Sequence, residues 1–465
     1  MSDFPKKSNL VTKGHLGTFV LITSLFFLWS WPNTLNDFLI TQFKKSLELS
    51  LAQTGFLPFA LKTGYFLVSV PAGLYMQKKG YKAGIMMGLM LFAAGCLMFY
   101  PAASTQQYIV FLFGIFVMAG GCAFLEIGAN SFIVSLGDKA TSERRLNLAQ
   151  SFNPIGNIMA STAATVFIFS GNEPDAAEIE RMKESVIAAG GNEYQQFLKD
   201  ENFRVFPVYI ALAAVILIIA FLVRRTKFPE PATEKSGGEK GSLKALLKYP
   251  HWWGAIISQF FYLAAQLGTW SYLVLYITQN SALGEKAAGG FVIANMILFM
   301  TGRFFATWLM KFFKPARLMG VYAVINLCLI SIAIIGSKWG EAHFGLGLNG
   351  IVIPVPFTGF QVPVSIYALI FTAFFMSLMY PTNFASGVKG LGPNAKLGAS
   401  ILVMSLIGGA LGSLAISSLA GSDWGLAAGI DTHQIAAGMC VIIISYCVIC
   451  WYAFAGSRPR GPLYE

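Results

Sequence analysis

The chain has 465 residues, of which 55% are hydrophobic and only 12% are charged, with a net charge of +11. A soluble domain carries about 25% charged residues, so this composition excludes an ordinary soluble enzyme. The positive charge does not indicate a nucleic-acid partner, because the basic residues lie in short segments between long apolar runs. Such a pattern is typical of a polytopic membrane protein that is surrounded by lipid.

Apolar runs that could each cross a bilayer, which takes about 20 residues, recur along the chain. Twelve are predicted, at 17–41, 52–76, 83–101, 108–135, 148–170, 205–223, 252–279, 287–310, 317–336, 364–385, 397–420 and 433–455. Between them, 171–203 is predicted to be an outer loop with a short amphipathic helix, and 337–363 an outer loop or a re-entrant segment. The predicted fold class is therefore an all-α membrane protein of twelve transmembrane helices.

A segment with Pro, Gly and mixed charges separates six predicted spans from the next six. It predicts an N-terminal six-helix bundle at 1–223, a cytoplasmic linker at 224–250 and a C-terminal six-helix bundle at 251–465. A weak internal repeat supports two pseudo-symmetric halves. The fourth span ends in Ala129-Asn130-Ser131-Phe132, and the tenth ends in Pro381-Thr382-Asn383-Phe384. Transporters with such repeats bind substrate near the midplane of the membrane.

The basic residues also predict the orientation. On the predicted topology, 23 of the 33 Lys and Arg residues fall in cytoplasmic segments. This positive-inside bias places both termini in the cytoplasm. We expect a multi-pass protein of the bacterial inner membrane.

Two carboxylates lie within apolar spans: Asp37 near the outer end of the first, and Glu126 deep in the fourth. A charge at bilayer depth costs about 3 kcal/mol by insertion scales, so such residues face the protein interior. A carboxyl that is neutral in one state and charged in another can carry a proton, which makes both residues candidates for proton coupling. The alternative for each is a structural ion pair, or a side chain that reaches water from the end of its helix.

Lys62 is a third unusual charge, near the middle of the second span. It is interpreted either as a charge partner for Asp37, or as a group that contacts the substrate or replaces a coupling cation. Arg303, which follows Gly302 in the eighth span, is interpreted as a structural anchor.

Amide and aromatic side chains within the spans suit a polyhydroxylated ligand, which offers hydroxyls at its edges and C–H groups on its faces. Pro32 removes a backbone donor and is expected to distort the first helix beside Asn33. By spacing, Gln150, Asn153 and Asn157 share one helical face. The candidate substrate-binding residues are Asn33, Asn36, Lys62, Asn130, Gln150, Asn153, Gln266, Trp270, Tyr272 and Asn383, and Gln259 is a further amide in the seventh span.

Motifs for enzyme chemistry are absent from the sequence. It has no phosphate-binding loop, no nucleophile elbow and no His/Cys spacing typical of zinc. The protein is therefore predicted not to be an enzyme, with no catalytic residues, no metal and no cofactor. The four histidines lie in loops or at span ends, so a proton path would depend on carboxylates.

Longer motifs occur in order along nearly the whole chain. They are Phe27-Leu28-Trp29 with Asn33-Thr34-Leu35-Asn36-Asp37, Pro71-Ala72-Gly73 with Tyr81-Lys82-Ala83-Gly84, Leu125-Glu126, Arg145-Leu146-Asn147-Leu148-Ala149-Gln150, Trp270-Ser271-Tyr272-Leu273, Gly302-Arg303-Phe304 and Tyr380-Pro381-Thr382. Together they resemble the L-fucose:proton symporter family of the major facilitator superfamily. The resemblance implies alternating access, with Asp37 and Glu126 serving proton coupling and sugar binding.

Three features depart from the family's pattern, the first being Asn33-Thr34, where the fucose symporters have two adjacent amides. Gln77 stands where the superfamily usually has an acidic residue, and Lys62 where the family usually has an uncharged one. The expected function is proton symport of a monosaccharide, L-fucose or a related hexose, by a monomer. Lys62 leaves two alternatives open: an uncoupled sugar facilitator or exchanger, and a transporter of an acidic or amino sugar.

Overall fold

The computed structural model describes residues 11, 14–49, 53, 56–168, 176–185, 193–228, 242–283, 285–354, 361–420 and 435–458. Within these ranges, helices dominate, and the regular β structure is one short antiparallel hairpin. This is the all-α architecture that the apolar runs predict.

The helices before the predicted linker are α1 (Leu16–Leu28), α2 (Ser30–Ser46), α3 (Phe56–Leu97), α4 (Phe99–Thr105), α5 (Tyr108–Ser135), α6 (Ser142–Gln150), α7 (Asn153–Ala163), α8 (Ala176–Glu184), α9 (Glu193–Phe203) and α10 (Phe206–Arg225). A 3-10 turn at Lys139–Thr141 precedes α6, and a π-helical turn at Ala164–Ile168 continues α7. The predicted outer loop at 171–203 contains two short helices, α8 and α9, where one was expected.

The later helices are α11 (Leu243–Leu246), α12 (Pro250–Asn280), α13 (Glu285–Leu309), α14 (Pro315–Ile335), α15 (Lys338–Phe344), α16 (Val364–Met376), α17 (Met379–Val388), α18 (Ala395–Met404), α19 (Ile407–Ala420), α20 (Ile435–Gly438) and α21 (Cys440–Trp451). Strands β1 (Val352–Pro354) and β2 (Gln361–Pro363) pair antiparallel, with Ile353 opposite Val362. The segment predicted as an outer loop or re-entrant piece is thus a short helix followed by a hairpin. Residues 229–241 of the predicted linker lie outside the described residues.

Ten described stretches are long and apolar enough to cross a membrane. One of them, Phe56–Thr105, has 50 residues and contains both the second and the third predicted spans. Gly80 divides it, because its φ of 83° is a backbone conformation that residues with a Cβ rarely adopt. The fifth predicted span corresponds to α6 and α7, each too short to be counted alone. Every predicted span therefore has a helical counterpart, and the fold class is confirmed.

Contacts divide the described chain into two compact units. The first unit holds residues 14–132 and 152–228. In it, α3 packs against α10, and α7 packs against α1 and α2. Small residues bring α3 close to α5: a Cβ at Gly64 would lie 2.7 Å from the carbonyl oxygen of Phe116, and one at Gly88 would lie 2.9 Å from that of Gly121. Such close backbone approach is typical of helix pairs in membranes.

The second unit holds Ile133–Ser151 together with residues 242–458. Its core forms where α12 packs against α17, α19 and α21, and where α14 packs against α16 and α21. The short helix α6 packs against α13 and α17. An ion pair joins Glu143 of α6 to Lys389, just after α17, with Oε1 and Nζ 2.9 Å apart. By its contacts, the connection between the fourth and fifth spans therefore belongs with the later helices.

The internal repeat has a structural counterpart. After α5 comes a 3-10 turn and then the helix pair α6 and α7, which is interrupted at Ser151 and Phe152. After α17 comes a 3-10 turn at Gly392–Asn394 and then the pair α18 and α19, interrupted at Ser405 and Leu406. The two halves of the sequence repeat thus fold into the same succession of elements.

Arg145 caps the end of α5 from within α6. Its side chain is fully buried. Nε donates to the Ile133 carbonyl and Nη2 to the Val134 carbonyl, both at 2.6 Å, and Nη1 donates to the Thr141 hydroxyl at 3.0 Å. Carbonyls in the last turn of a helix have no partner within it, and they carry partial negative charge. Arg145 therefore fixes the angle between α5 and the following segment.

We expect Arg145→Gln to lower the free energy of unfolding by about 1.5 to 3 kcal/mol, because charge-assisted hydrogen bonds in a buried site are lost. Thermal unfolding of the purified protein in detergent would measure the change. Arg144→Gln is the matched control, because Nε of Arg144 has no partner among the described residues. Equal stability of the two variants would contradict the capping role.

Candidate functional site

Three charged side chains from different helices approach one another in the first unit. Lys62 on α3 interacts electrostatically with Asp37 on α2 and with Glu126 on α5, and its Nζ donates to Asn33 Oδ1 at 3.4 Å. Glu126 is only 5% exposed, whereas Lys62 is half-buried and Asp37 is exposed. We call these residues, with Asn36, the N-terminal polar cluster. Within it, Lys62 interacts electrostatically with both carboxylates, more strongly with Asp37 than with Glu126.

Pro32 explains the local backbone of the cluster. The first span is broken at Trp29, between α1 and α2. The carbonyl that would pair with the missing N–H of Pro32 is that of Leu28, where α1 ends. Asn33 Nδ2 donates to the Trp29 carbonyl at 3.3 Å, which holds the side chain at the break. The predicted distortion beside Asn33 is therefore confirmed.

The helix α7 is held against this break by two polar contacts. Asn153 Nδ2 donates to the Phe26 carbonyl at 3.1 Å, and the Thr34 hydroxyl donates to Asn157 Oδ1 at 3.1 Å. Gly156 allows the approach, because a Cβ there would collide with the main chain at the end of α1. Asn153 thus lies beside the same broken helix that carries Asn33 and Asp37.

Gln150 and Asn153 do not lie on one continuous helix. Gln150 is the last residue of α6, and Asn153 is the first residue of α7. Pro154, the second residue of α7, has no N–H to donate to the Gln150 carbonyl. The expectation of one uninterrupted polar face from Gln150 to Asn157 is therefore wrong. Gln150 is buried in the second unit, and Asn153 is half-buried in the first.

Two further predicted residues lie deep in the first unit. Asn130 is fully buried, one helical turn after Glu126 on α5. Asn36 is 2% exposed, and its Oδ1 has no hydrogen-bond partner among the described residues. A buried acceptor without a donor is costly, so Asn36 is a good candidate to receive a ligand hydroxyl or water.

Sequence reasoning missed Tyr65 on α3. Its side chain is 2% exposed, and its hydroxyl lies beside Asn33 and Glu126. Aromatic residues within spans are commonly packing residues, so the side chain drew no attention. The available signal was its spacing, because Tyr65 follows Lys62 by three residues and shares its helical face.

The predicted residues of the seventh span lie on α12 in the second unit. The Trp270 ring meets Phe299 edge-on, with centroids 5.1 Å apart, and its Nε1 is buried without a partner among the described residues. The Tyr272 hydroxyl donates to the Ser413 carbonyl at 3.0 Å, which anchors it to α19. Gln266 is half-buried. Trp270 therefore retains a free donor, while Tyr272 has a structural partner.

Asn383 on α17 is fully buried beside α12. Its Oδ1 accepts from the Ser258 hydroxyl at 3.1 Å, while Nδ2 has no partner among the described residues. Gln259, the next residue of α12, is fully buried with both side-chain atoms unpartnered in the same ranges. Polar atoms left unsatisfied in a packed core need a partner that the chain does not supply. This favours a ligand or water beside Gln259 and Asn383.

The described residues contain no group of three or more His, Cys, Asp or Glu side chains that could hold a metal ion. The candidate residues of the first unit are thus carboxylates, one ammonium group, amides and a tyrosine, and those of the second unit are amides and aromatic rings. Such a set can bind hydroxyl groups and can exchange a proton.

Comparison with known proteins agrees with this architecture. The Major Facilitator Superfamily profile matches residues 16–414. The L-fucose-proton symporter of Escherichia coli (strain K12) is 34% identical over 441 residues, which cover 93% of this chain and 92% of that protein. The glucose/galactose transporter of Brucella abortus biovar 1 (strain 9-941) is 27% identical over 439 residues, or 94% of this chain and 93% of that protein.

Solved structures give the same result. A crystal structure of the E. coli fucose:proton symporter, in a variant form, superimposes with a TM-score of 0.79 at 31% identity, and the match covers 96% of this chain and 100% of that one. A crystal structure of the same-named transporter in the outward conformation also gives 0.79, at 32% identity, with 96% and 99% covered. The chain therefore belongs to the major facilitator superfamily and, within it, to the family of the L-fucose:proton symporters.

Proposed function

We propose that this protein imports a monosaccharide, L-fucose or a related hexose, together with a proton, by alternating access in the bacterial inner membrane. The observation that carries the proposal is the N-terminal polar cluster, in which two membrane carboxylates lie beside amides and a tyrosine hydroxyl. The relatives named as sugar-proton symporters and sugar transporters support it. Both termini are proposed to be cytoplasmic, and the chain to act as a monomer of two six-helix halves joined by the linker.

Glu126 and Asp37 would share the coupling role unequally. Glu126 is almost fully buried, so its charged form is costly unless Lys62 or a hydrogen bond stabilises it. A neutral, protonated Glu126 could donate a hydrogen bond to a sugar hydroxyl, and the protein could then change its conformation without an unpaired buried charge. Asp37, which is exposed, would exchange its proton with water more readily.

The sugar would be bound by amides and an aromatic ring. Asn36 offers an unpartnered acceptor, while Asn383 and Trp270 offer unpartnered donors. Asn33, Asn130, Gln150, Asn153, Gln266 and Tyr272 complete the proposed binding set. An aromatic ring such as Trp270 suits the apolar face of a sugar, and amides suit its hydroxyls.

A second candidate substrate is an acidic sugar, and Lys62 is the observation that favours it. The ammonium group lies beside Asn33, an amide of the proposed site. A carboxylate on the substrate could meet Lys62 if one of the two membrane carboxylates is protonated at the same time.

The test is uptake by proteoliposomes that contain the purified protein. Labelled L-fucose, galactose, glucose and glucuronate would each be supplied with and without an inward proton gradient. Concentrative uptake of a neutral hexose, only with the gradient, is expected. Gradient-dependent uptake of glucuronate alone would select the acidic-sugar candidate, and gradient-independent equilibration of a hexose would select a facilitator.

We expect Asn153→Ala to weaken sugar binding by about 1 to 3 kcal/mol, the cost of leaving polar groups unpaired in a buried site. Gln150→Ala is expected to act in the same range. Binding would be measured by titration calorimetry of the purified protein with the sugar selected by the uptake panel. Asn349→Ala, in the segment before the hairpin, is a control amide outside the spans. If both Asn153→Ala and Gln150→Ala bind the sugar with unchanged affinity, neither side chain belongs to the sugar-binding site.

A further inference from the structure

Arg303 is buried on α13 and forms no salt bridge with a carboxylate among the residues that the structure describes. Its side chain is 4% exposed, and its guanidinium lies over the Phe299 ring, 4.7 Å from the centroid. Gly302 brings α13 against α16, because a Cβ there would collide with the Phe374 carbonyl. A buried cation at such a position is costly unless specific acceptors stabilise it.

Arg303 donates to two main-chain carbonyls at two different helix ends, and its guanidinium also interacts with the Tyr262 hydroxyl. Nη1 donates to the Gln150 carbonyl at 2.6 Å, and Nε donates to the Ser377 carbonyl at 2.9 Å. Each of these carbonyls belongs to a residue four positions before a proline. Pro154 lies four residues after Gln150, and Pro381 lies four residues after Ser377. In a regular helix the N–H of residue i pairs with the carbonyl of residue i−4, and proline has no N–H. Arg303 therefore supplies the donors that two prolines remove.

Both carbonyls lie where a membrane helix is interrupted. Gln150 ends α6 before α7 begins at Asn153. Ser377 lies between the end of α16 at Met376 and the start of α17 at Met379. Asn153 and Asn383, both in the proposed sugar-binding set, follow these interruptions. One guanidinium thus donates to a carbonyl at each of these two interruptions.

The contact with α6 is reciprocal. Asn147 Nδ2 donates to the Arg303 carbonyl at 3.0 Å and to the Thr307 hydroxyl at 2.6 Å. The Thr307 hydroxyl in turn donates to the Arg303 carbonyl at 2.8 Å. Both the side chain and the main-chain carbonyl of Arg303 are therefore hydrogen-bonded to α6. Their partners there, Gln150 and Asn147, are about one helical turn apart.

We propose that Arg303 is a positioning residue that joins two proline-interrupted helices of the second unit, holding α6 on α13 and on the segment between α16 and α17. This inference rests on the proposed function for the role of those segments, but not for the joint itself. Transport by alternating access requires these segments to move, so the strength of the joint would set how readily α6 separates from α13.

The test uses two measurements that involve no sugar, so the inference and the proposed function can fail independently. The change in Tm reports how much the hydrogen bonds to the two carbonyls stabilise the protein. Hydrogen–deuterium exchange of the amides of Ser142–Gln150 reports how often α6 opens, with Cys440–Trp451 of α21 as the internal reference. Arg317→Gln is the matched control, because Arg317 is exposed on α14.

Arg303→Gln is expected to lower Tm and to speed exchange in Ser142–Gln150 by about tenfold, because charge-assisted hydrogen bonds are lost. Adding Pro154→Ala and Pro381→Ala restores an N–H for each carbonyl within its own helix. The triple variant is therefore expected to recover most of the lost Tm. Its exchange should stay fast, because the joint between helices remains absent.

The proposal would be contradicted if the two proline substitutions lowered Tm further when added to Arg303→Gln. Unchanged amide exchange of Ser142–Gln150 in Arg303→Gln would also contradict it. Should Arg303→Gln alone give no folded protein, the triple variant decides. A folded triple variant with fast exchange supports the joint, and a second failure to fold contradicts it.

Discussion

Glu126→Gln is expected to abolish proton-driven accumulation of sugar while leaving sugar exchange measurable. Glutamine has the shape of a protonated glutamate but cannot release a proton. Glu126 is 5% exposed on α5 and interacts with Lys62, so it is the buried acid of the polar cluster. Accumulation would be measured in proteoliposomes with an inward proton gradient, and exchange in vesicles preloaded with unlabelled sugar. Accumulation should fall to the equilibration level.

Glu180→Gln is the matched control for this variant. Glu180 is exposed on α8, outside the helices that could span a membrane. Its substitution should leave both accumulation and exchange unchanged. Normal accumulation by Glu126→Gln would remove this residue from the coupling mechanism and transfer the role to Asp37.

Lys62→Met is expected to destabilise the protein, because two carboxylates lose their shared cation. The double variant with Asp37→Asn should recover part of the loss, because one of these carboxylates is then neutral. A double-mutant cycle on the free energy of unfolding should give a coupling of about 0.5 to 3 kcal/mol between Lys62 and Asp37. Chemical unfolding of the purified protein at neutral pH would measure it.

Lys79→Met controls for the general cost of replacing a lysine on α3, since Lys79 is exposed. If the Lys62 and Asp37 substitutions simply add, the pair has no energetic coupling. Lys62 would then be better explained as facing the ligand, which would strengthen the acidic-sugar candidate.

Sequence reasoning located the charged centre of the site because polar groups in membrane helices are expensive and therefore rare. Asp37, Lys62 and Glu126 could be found by excluding loops, and the structure brings all three together. Pro32 predicted the break in the first span for a similarly local reason, the loss of one N–H.

The remaining features depend on contacts that no local pattern contains. Arg303 was expected to be an anchor, but its two acceptors lie 153 and 74 residues away along the chain. The assumption of one helical face for Gln150 and Asn153 failed because the effect of Pro154 on the preceding turn was not considered. The unpartnered atoms of Gln259 could not be recognised either, because satisfaction of a polar group is a property of the packed core.

Proton symport is tested most directly by measuring whether protons enter the vesicle together with the sugar. Vesicles containing the protein and an internal pH-sensitive dye, with no initial gradient, would receive the hexose selected by the uptake panel. The interior is expected to acidify as sugar enters, and Glu126→Gln is expected to remove this signal while exchange persists. Sugar entry at the normal rate without any change of internal pH would contradict proton coupling and identify the protein as a facilitator.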